Sequence, residues 1–241
     1  MIKKSFYYLL VVITISFFSS ALLYIPISQA VGKAVSHQFN EPSAILILGD
    51  SLSASLGMQE NQGWVYQLNQ ELVQQKAPYK LINASISGET THGGLARLPR
   101  ILAQQSVDYL LIELGGNDGL RGFPPKLIKN NLLQIIKLAK EQKIKVLLME
   151  IRIPPNYGAR YNKLFNEIFS KVATQSNVNL LPFFMEVIAI TPELMQADGI
   201  HPNKRAQPLI AQFMKQKLNA ITYSKVTTQP LNLTKPELKR Y

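Results

Sequence analysis

Short runs of consecutive apolar residues alternate along the chain with longer stretches in which apolar residues recur every three or four positions. The short runs have the length of buried strands, and runs that are apolar on both faces are typical of a parallel sheet. The longer stretches have the period of helices that bury one face. The pattern predicts strands at 44–48, 80–86, 107–114, 145–151 and 178–184.

Helices are predicted after each of these strands. The most regular stripe, which runs from Ile128 to Ala139, follows Pro124 and Pro125, and proline fits the first turn of a helix. Pro99 should delay or bend another helix, because proline lacks the N–H that a helix interior needs. The other predicted helices span 63–75, 93–105, 159–175 and 203–221. Leu164, Phe165, Ile168 and Val172 should face inward on the helix at 159–175, and Asn203 should cap the helix at 203–221.

Strand–helix alternation repeated five times predicts a three-layer α/β domain with a five-stranded parallel sheet. A chain of 241 residues, 46% of them hydrophobic, is long enough to bury one sizeable core. We therefore expect a single domain at 44–222. A polar linker at 31–43 precedes it, and a polar, aperiodic tail at 223–241 follows it.

The first thirty residues have the pattern of a secretory signal, with Lys3 and Lys4 before an apolar run and small residues after it. The preferred cleavage site is Ser-Gln-Ala at 28–30, and 19–21 is a second candidate. An uncleaved anchor is the alternative, because the apolar run approaches the roughly 20 residues that span a bilayer. In both cases the domain is expected to be exported, since the positive residues stay inside.

Composition excludes several classes of site. The chain has no cysteine, which removes disulfides, thiolate metal sites and a cysteine nucleophile. Its three histidines are too dispersed for a zinc site, so neither a metal nor a cofactor is expected. The formal charge of +11 indicates a basic surface, with attraction to anionic lipid head groups as the alternative. Nucleic acid is not an expected partner, because the lysines are scattered and no basic stripe carries interleaved aromatic residues.

Ser51 follows the first predicted strand, at the sheet edge where parallel α/β domains bind ligands. A serine hydroxyl becomes a nucleophile only when a neighbouring base takes its proton. Of the candidate bases, His37 lies in the linker and His92 lies in a glycine-rich loop. His201 lies between the last strand and the last helix, three residues after Asp198, which could orient its ring. This pairing favours His201 as the base.

Acyl transfer also needs hydrogen-bond donors aimed at the developing oxyanion. Ser51 would open a helix, which leaves its own N–H free. Gly88, after the second strand, can present a backbone N–H, and Asn117, after the third, can present a side-chain amide. Each of these loops taken alone could be an ordinary turn. Three of them at one edge of the sheet favour an oxyanion hole.

Four sequence blocks resemble those of the SGNH, or GDSL, hydrolases in order and spacing. They are Gly-Asp-Ser-Leu-Ser at 49–53, Gly88, Gly-Asn-Asp at 116–118 and Asp-Gly-Ile-His-Pro at 198–202. The flanking segments 83–90, 113–122, 154–158 and 181–186 are similar to those of the bacterial periplasmic thioesterase I branch, also called lysophospholipase L1 or arylesterase. The resemblance covers about 43–222 and implies a flavodoxin-like sheet of order 2-1-3-4-5.

The resemblance also implies roles for individual residues. Ser51 would be the nucleophile and His201 the base, oriented by Asp198, and Ser51 N–H, Gly88 N–H and the Asn117 amide would hold the oxyanion. Asp50 would anchor the nucleophile turn beside the substrate. The segment 152–155, with Ile153 and Pro154, would line an acyl groove together with Ile200, and 89–95 would form a mobile loop over the substrate.

Two departures from the branch pattern bear on specificity. The branch continues Ala-Gly-Tyr after its Gly-Asp-Ser-Leu-Ser block, whereas this chain has Ala54, Ser55 and Leu56, a change expected to alter the pocket floor. The segment 91–94 contains His92 and two glycines where the branch has glutamines, which should increase the freedom of that loop. The acyl-chain preference of the branch therefore does not carry over.

The resemblance implies a monomeric, periplasmic serine esterase that acts on thioesters, lysophospholipids and simple carboxylic esters. One alternative is a deacetylase of envelope or extracellular polysaccharide. Another is a non-catalytic flavodoxin-like protein whose first loop holds phosphate at a helix N-terminus. Asp50 argues against the last hypothesis, because its charge would repel a phosphate.

Overall fold

The computed structural model of the chain describes residues 41–222. The predicted signal at 1–30, most of the predicted linker with His37, and the predicted tail at 223–241 lie outside the described residues. The strands are β1 Ser43–Gly49, β2 Tyr79–Asn83, β3 Tyr109–Glu113, β4 Lys145–Met149 and β5 Asn179–Leu181. The helices are α1 Trp64–Gln74, α2 Thr91–Gln104, α3 Gly116–Leu120, α4 Pro125–Glu141, α5 Ala159–Ser176, α6 Met185–Ile188 and α7 Gln207–Thr222.

The five strands form one parallel sheet in the order β2-β1-β3-β4-β5, which confirms the predicted fold class. β1 and β3 lie at its centre, where Gly49 pairs in register with Glu113. Their side chains are buried on both faces, as the continuous apolar runs predict. The carboxyl ends of β1, β2 and β3 therefore meet at one edge, and the loops that leave them are neighbours.

Helices cover the sheet in two groups. α1 packs against α7, and α4 packs against both α2 and α5. Proline at the start of α4 confirms the predicted opening of that helix, and its predicted apolar stripe is buried. Leu164 is an exception to the predictions for α5, because it is exposed while Phe165 beside it is fully buried.

Several strands are shorter than the apolar runs that predict them. β2 was predicted to reach residue 86 but ends at Asn83, whose side chain donates to the carbonyl of Ser53 and accepts from the N–H of Ser85. β3 was predicted to begin at 107 but begins at Tyr109, after Asp108 has accepted the N–H of Ala44. Backbone hydrogen bonds between the neighbouring strands continue past these ends, so the chain stays paired beyond the regular strands.

Two helices also begin elsewhere than predicted. α7 starts at Gln207 because Asn203 caps a preceding turn, with its side-chain oxygen accepting from Arg205 N–H. α2 starts at Thr91, two residues early, and continues through Pro99. Within the described part of the chain, no helix has the length and apolar character to cross a membrane.

Candidate active site

Ser51 lies in a tight turn at the carboxyl end of β1. The turn begins at Asp50, whose carbonyl accepts from the N–H groups of Ser53 and Ala54. This helical turn holds Ser51 at the edge of the sheet, where its side chain is largely buried. Its hydroxyl oxygen lies 2.9 Å from Nε2 of His201, which is 150 residues away in the sequence.

His201 is held by Asp198, three residues before it. Nδ1 of the ring lies 2.6 Å from Oδ2 of Asp198, while Oδ1 accepts the N–H groups of Ile200 and His201 at 2.9 and 3.0 Å. Burial acts to raise the pKa of Asp198, but the hydrogen bonds from the backbone and ring of His201 and from Ile200 outweigh it and lower the pKa to about 2. An ionised Asp198 keeps the ring proton on Nδ1, so that Nε2 can accept from the Ser51 hydroxyl.

Gly88 lies in a four-residue turn from Ile86 to Glu89, which is closed by a 3.1 Å hydrogen bond from Glu89 N–H to Ile86 C=O. Its φ of +78° suits the third position of such a turn, where glycine avoids the steric cost. This hydrogen bond leaves the N–H of Gly88 uninvolved. Arg121 holds the far side of the turn by donating to the carbonyl of Gly88 at 3.2 Å.

Asn117 lies in the first turn of α3, next to the end of β1. Its side-chain amide donates one hydrogen to Oδ2 of Asp50 at 3.2 Å. The amide has a second hydrogen, which this contact does not use. Asp50 therefore fixes the orientation of the Asn117 side chain.

Asp50 is a buried carboxyl group, only 3% exposed. Oδ1 accepts the N–H of Leu52 at 3.1 Å, which stabilises the turn that carries Ser51. Burial raises the pKa of Asp50 to about 6, against the lowering effect of its hydrogen bonds with Leu52, Glu113 and Asn117. Its contacts fit the predicted role of Asp50 as an anchor of the turn.

A cavity of about 460 Å³ opens beside Ser51 and His201. The predicted groove residues Ile153, Pro154 and Ile200 line it, and so does Asp50. Apolar side chains from four further segments complete the wall: Leu52, Leu120, Phe183, Met185 and Met195. A larger hollow of about 730 Å³ lies at the opposite edge of the sheet among three lysines, but it contains none of the predicted site residues.

The expectation for the segment 89–95 is wrong from Thr91 onwards, because α2 begins there. Gly93 does not add freedom to a loop. A Cβ at Gly93 would lie 1.8 Å from Oε1 of Glu89, so the glycine leaves space for a carboxylate that pairs with Arg97 at 2.6 Å. His92 is exposed and is not among the residues lining the cavity.

The expectation that Ser55 and Leu56 alter the pocket floor is also not met. Neither residue is among those lining the cavity, whereas Leu52, one turn earlier, is. Ser55 is buried in a left-handed conformation with φ of +59°, and its hydroxyl lies against Gly63. The departure from the branch pattern therefore lies behind the nucleophile turn and outside the cavity.

Sequence reasoning missed two buried polar contacts beside the site. Glu113, 1% exposed, accepts the hydroxyl of Ser53 at 2.8 Å and the N–H of Asp50 at 3.3 Å. Asp118 accepts both the hydroxyl and the N–H of Thr91, which ties α3 to the start of α2. The available signal for Glu113 was a lone acid at the end of a strand that is otherwise apolar on both faces.

Comparison with known proteins identifies the family. Residues 47–207 match the model of the GDSL-like lipase/acylhydrolase family. The chain belongs to this family. Within the described residues, no group of three or more histidine, aspartate and glutamate side chains could hold a metal ion.

Several relatives in this family have names that describe an activity. The chain is 49% identical to an arylesterase of Vibrio mimicus, over 72% of this chain and 87% of that protein. It is 48% identical to thioesterase 1/protease 1/lysophospholipase L1 of Escherichia coli K12, over 73% of this chain and 84% of that protein. Among solved structures, the psychrotrophic esterase EstA of Pseudoalteromonas, inhibited by monoethylphosphonate, is 46% identical with a TM-score of 0.74, over 75% of this chain and 99% of that one.

Proposed function

We propose that this GDSL-family enzyme hydrolyses carboxylic esters and thioesters through an acyl-enzyme on Ser51. The observation that carries the proposal is the continuous contact from Ser51 Oγ through His201 to Asp198, at the wall of an apolar cavity. Nucleophile, base and orienting acid lie within hydrogen-bond reach of one another, which is the geometry that activates a serine hydroxyl.

In the proposed first half-reaction, Ser51 Oγ attacks the carbonyl carbon of the substrate while Nε2 of His201 takes its proton. Asp198 stabilises the imidazolium that forms. The substrate oxygen becomes negative and receives hydrogen bonds from the N–H groups of Ser51 and Gly88 and from the Asn117 amide. Each such donor contributes about 10²–10³ in rate when it is aimed at the transition state.

The tetrahedral intermediate then collapses and expels an alcohol or a thiol, which receives the proton from His201. The acyl group remains on Ser51. In the second half-reaction His201 removes a proton from water, the hydroxide attacks the acyl carbon, and Ser51 leaves with its proton restored. Every proton is returned, so this cycle needs neither a metal nor a cofactor.

The cavity supports an acyl chain as the part of the substrate that is recognised. Its wall is formed mainly by aliphatic, methionine and phenylalanine side chains, next to the position that the reacting carbonyl would occupy. Burial of such a chain contributes about 0.8 kcal/mol per methylene group. Thioesters, lysophospholipids and simple esters that carry an apolar acyl chain are therefore the proposed substrates. Equal rates on octanoyl and acetyl esters would favour a polysaccharide deacetylase instead.

We also propose that the enzyme is exported to the periplasm and acts as a monomer on small-molecule esters. The signal-like pattern in residues 1–30 supports export. Expression of the full chain in a Gram-negative host, followed by fractionation and native mass measurement of the released protein, would test both points. Full retention in the cytoplasm would overturn export, and a stable dimer would overturn the monomer.

Replacement of Ser51 tests the proposed function. We expect Ser51→Ala to reduce hydrolysis of p-nitrophenyl octanoate by about 10³-fold or more, leaving the residual rate that oxyanion donors and binding provide. Ser170→Ala, on the exposed face of α5, is the matched control and should retain the wild-type rate. Full activity of Ser51→Ala would contradict the proposal.

A further inference from the structure

Glu113 is a buried acid directly beneath the nucleophile turn, and the reaction proposed above gives it no role. It ends β3, in register with Gly49, and its carboxyl lies against the backbone there, with Oε2 only 2.7 Å from where a Cβ of Gly49 would be. Oε2 accepts hydrogen bonds from Ser53 Oγ and from the N–H of Asp50. Oε1 is equally buried but has no hydrogen-bond partner.

Two buried carboxyl groups therefore lie in contact beneath Ser51. Oε2 of Glu113 accepts the N–H of Asp50, and the charge of Asp50 raises the pKa of Glu113. Among the described residues, none of the lysine or arginine ion pairs reaches either group. Two adjacent carboxylates without a cation cannot both ionise at low cost, so the pair holds one proton.

The contacts indicate which of the two groups holds the proton. Asp50 accepts from Leu52 N–H and from the Asn117 amide, and both bonds favour its ionised form. The unpartnered Oε1 of Glu113 suits a protonated carboxyl, because an ionised one would leave a buried negative oxygen unmatched. Burial and the charge of Asp50 both raise the pKa of Glu113 well above its usual range. The other titratable group whose charge acts on the pair is His201, which bonds the Ser51 hydroxyl.

We propose that Glu113 is a neutral, proton-bearing positioning residue that holds Asp50 by its backbone N–H, and through Asp50 the Asn117 amide, in the geometry of the oxyanion hole. This role rests on the proposed ester hydrolysis. Glu113 is not among the residues lining the cavity. Glu113 accepts the N–H of Asp50, while the Asp50 carboxylate accepts the Asn117 amide. It also limits the pair to a single negative charge, because a second one would oppose the negative charge that develops on the substrate oxygen.

The first test measures the proton itself and does not depend on activity. Infrared difference spectra of the wild type at pH 8 should show the carbonyl stretch of a protonated carboxyl group. The band should disappear in Glu113→Gln and persist in Glu167→Gln, a control acid on the surface of α5 whose pKa is lowered by its hydrogen bond with Lys171. Absence of the band from the wild type, or its persistence in Glu113→Gln, would overturn the neutral state of Glu113.

The second test separates positioning from folding. Glu113→Gln, a neutral isostere that can donate and accept, should retain kcat within about threefold, whereas Glu113→Leu should lower kcat on the order of 10-fold or more with little change in KM. Rates are divided by the active fraction titrated with a fluorophosphonate, so misfolded protein does not contribute. An unchanged kcat in Glu113→Leu would overturn the positioning role. Neither result bears on whether Ser51 hydrolyses esters, which Ser51→Ala tests separately.

Discussion

The two carboxyl groups nearest Ser51 lie in opposite environments. Asp198 has a side chain that is 42% exposed and a pKa lowered to about 2, so it is ionised throughout the working pH range. Asp50 is buried and has a pKa raised to about 6. Sequence spacing identifies both residues but not this difference, because the pKa depends on burial and on hydrogen bonds that only the fold creates.

The raised pKa of Asp50 predicts a specific pH dependence of stability. Because the folded chain holds this proton more tightly than the unfolded chain, the contribution of Asp50 to stability is fully present below about pH 4 and is lost as the pH rises through about 6. Relative to Asp50→Asn, the wild type should lose about 1–3 kcal/mol of unfolding free energy between pH 4 and pH 7.5. Urea unfolding of both proteins at each pH measures this difference, and a parallel pH dependence would contradict the assignment.

Ser55 provides a second prediction at the residue scale. A serine at φ +59° carries a steric cost of about 1 kcal/mol that glycine does not. We expect Ser55→Gly to be stabilising by about 0.5–1 kcal/mol, with ester hydrolysis unchanged. The matched control is Asn177→Gly, at φ +49° in the C-cap of α5. This variant should gain less stability, since asparagine tolerates the left-handed conformation. A loss of stability in Ser55→Gly would show that the buried hydroxyl outweighs the strain.

At the scale of elements, the turn that carries Gly88 is joined to the second turn of α2 by the pair of Glu89 with Arg97. Both side chains are largely buried. The missing side chain of Gly93 leaves room for the Glu89 carboxylate against the helix. Most of the segment expected to be a loop is therefore part of a helix. The first turn of this helix lies against the candidate oxyanion turn.

Gly93→Ala should displace the Glu89 carboxylate and break its pair with Arg97. Although alanine favours the helix by about 1 kcal/mol, we expect kcat to fall by about 3- to 10-fold, because Glu89 directly follows Gly88. In a Glu89→Ala background the same substitution should not lower kcat any further, and a double-mutant cycle measures this. Equal losses in both backgrounds would contradict the role of this contact.

Sequence patterns predicted the elements better than their ends. Continuous apolar runs identified all five strands, and the helical stripe identified α4, because burial imposes these periods directly. The start of α2 was missed since Thr90 caps it through a hydrogen bond to Gly93 N–H, inside a segment rich in residues that favour loops. Glu113 was missed as a site residue because its partners come from β1 and the turn after it, about 60 residues earlier.

At the scale of the whole molecule, residues from six separate segments line one apolar cavity beside Ser51. The four sequence blocks could be placed at one edge of the sheet from the strand order alone, since parallel strands share their carboxyl edge. The volume and lining of the cavity could not be predicted. They depend on α6 and on the side chains of Phe183 and Met185, which carry no motif.

A bulkier side chain at Ile153 tests the use of this cavity for acyl chains. Ile153→Trp should lower kcat/KM for p-nitrophenyl octanoate about 10-fold or more and should leave kcat/KM for the acetyl ester nearly unchanged. Only the octanoyl chain needs the space that the tryptophan would fill. Leu164→Trp, on the exposed surface of α5, is the matched control and should change neither rate. Equal effects on both esters would place the acyl chain elsewhere.

The most direct test of the central claim is the site of covalent modification by a fluorophosphonate ester. Peptide mapping after reaction should find one adduct per chain, on Ser51. The adduct should be absent in Ser51→Ala and should form at least about 100-fold more slowly in His201→Ala, since the hydroxyl then lacks its base. Modification of a different residue, or an unchanged rate in His201→Ala, would contradict the assignment of Ser51 as the nucleophile activated by His201.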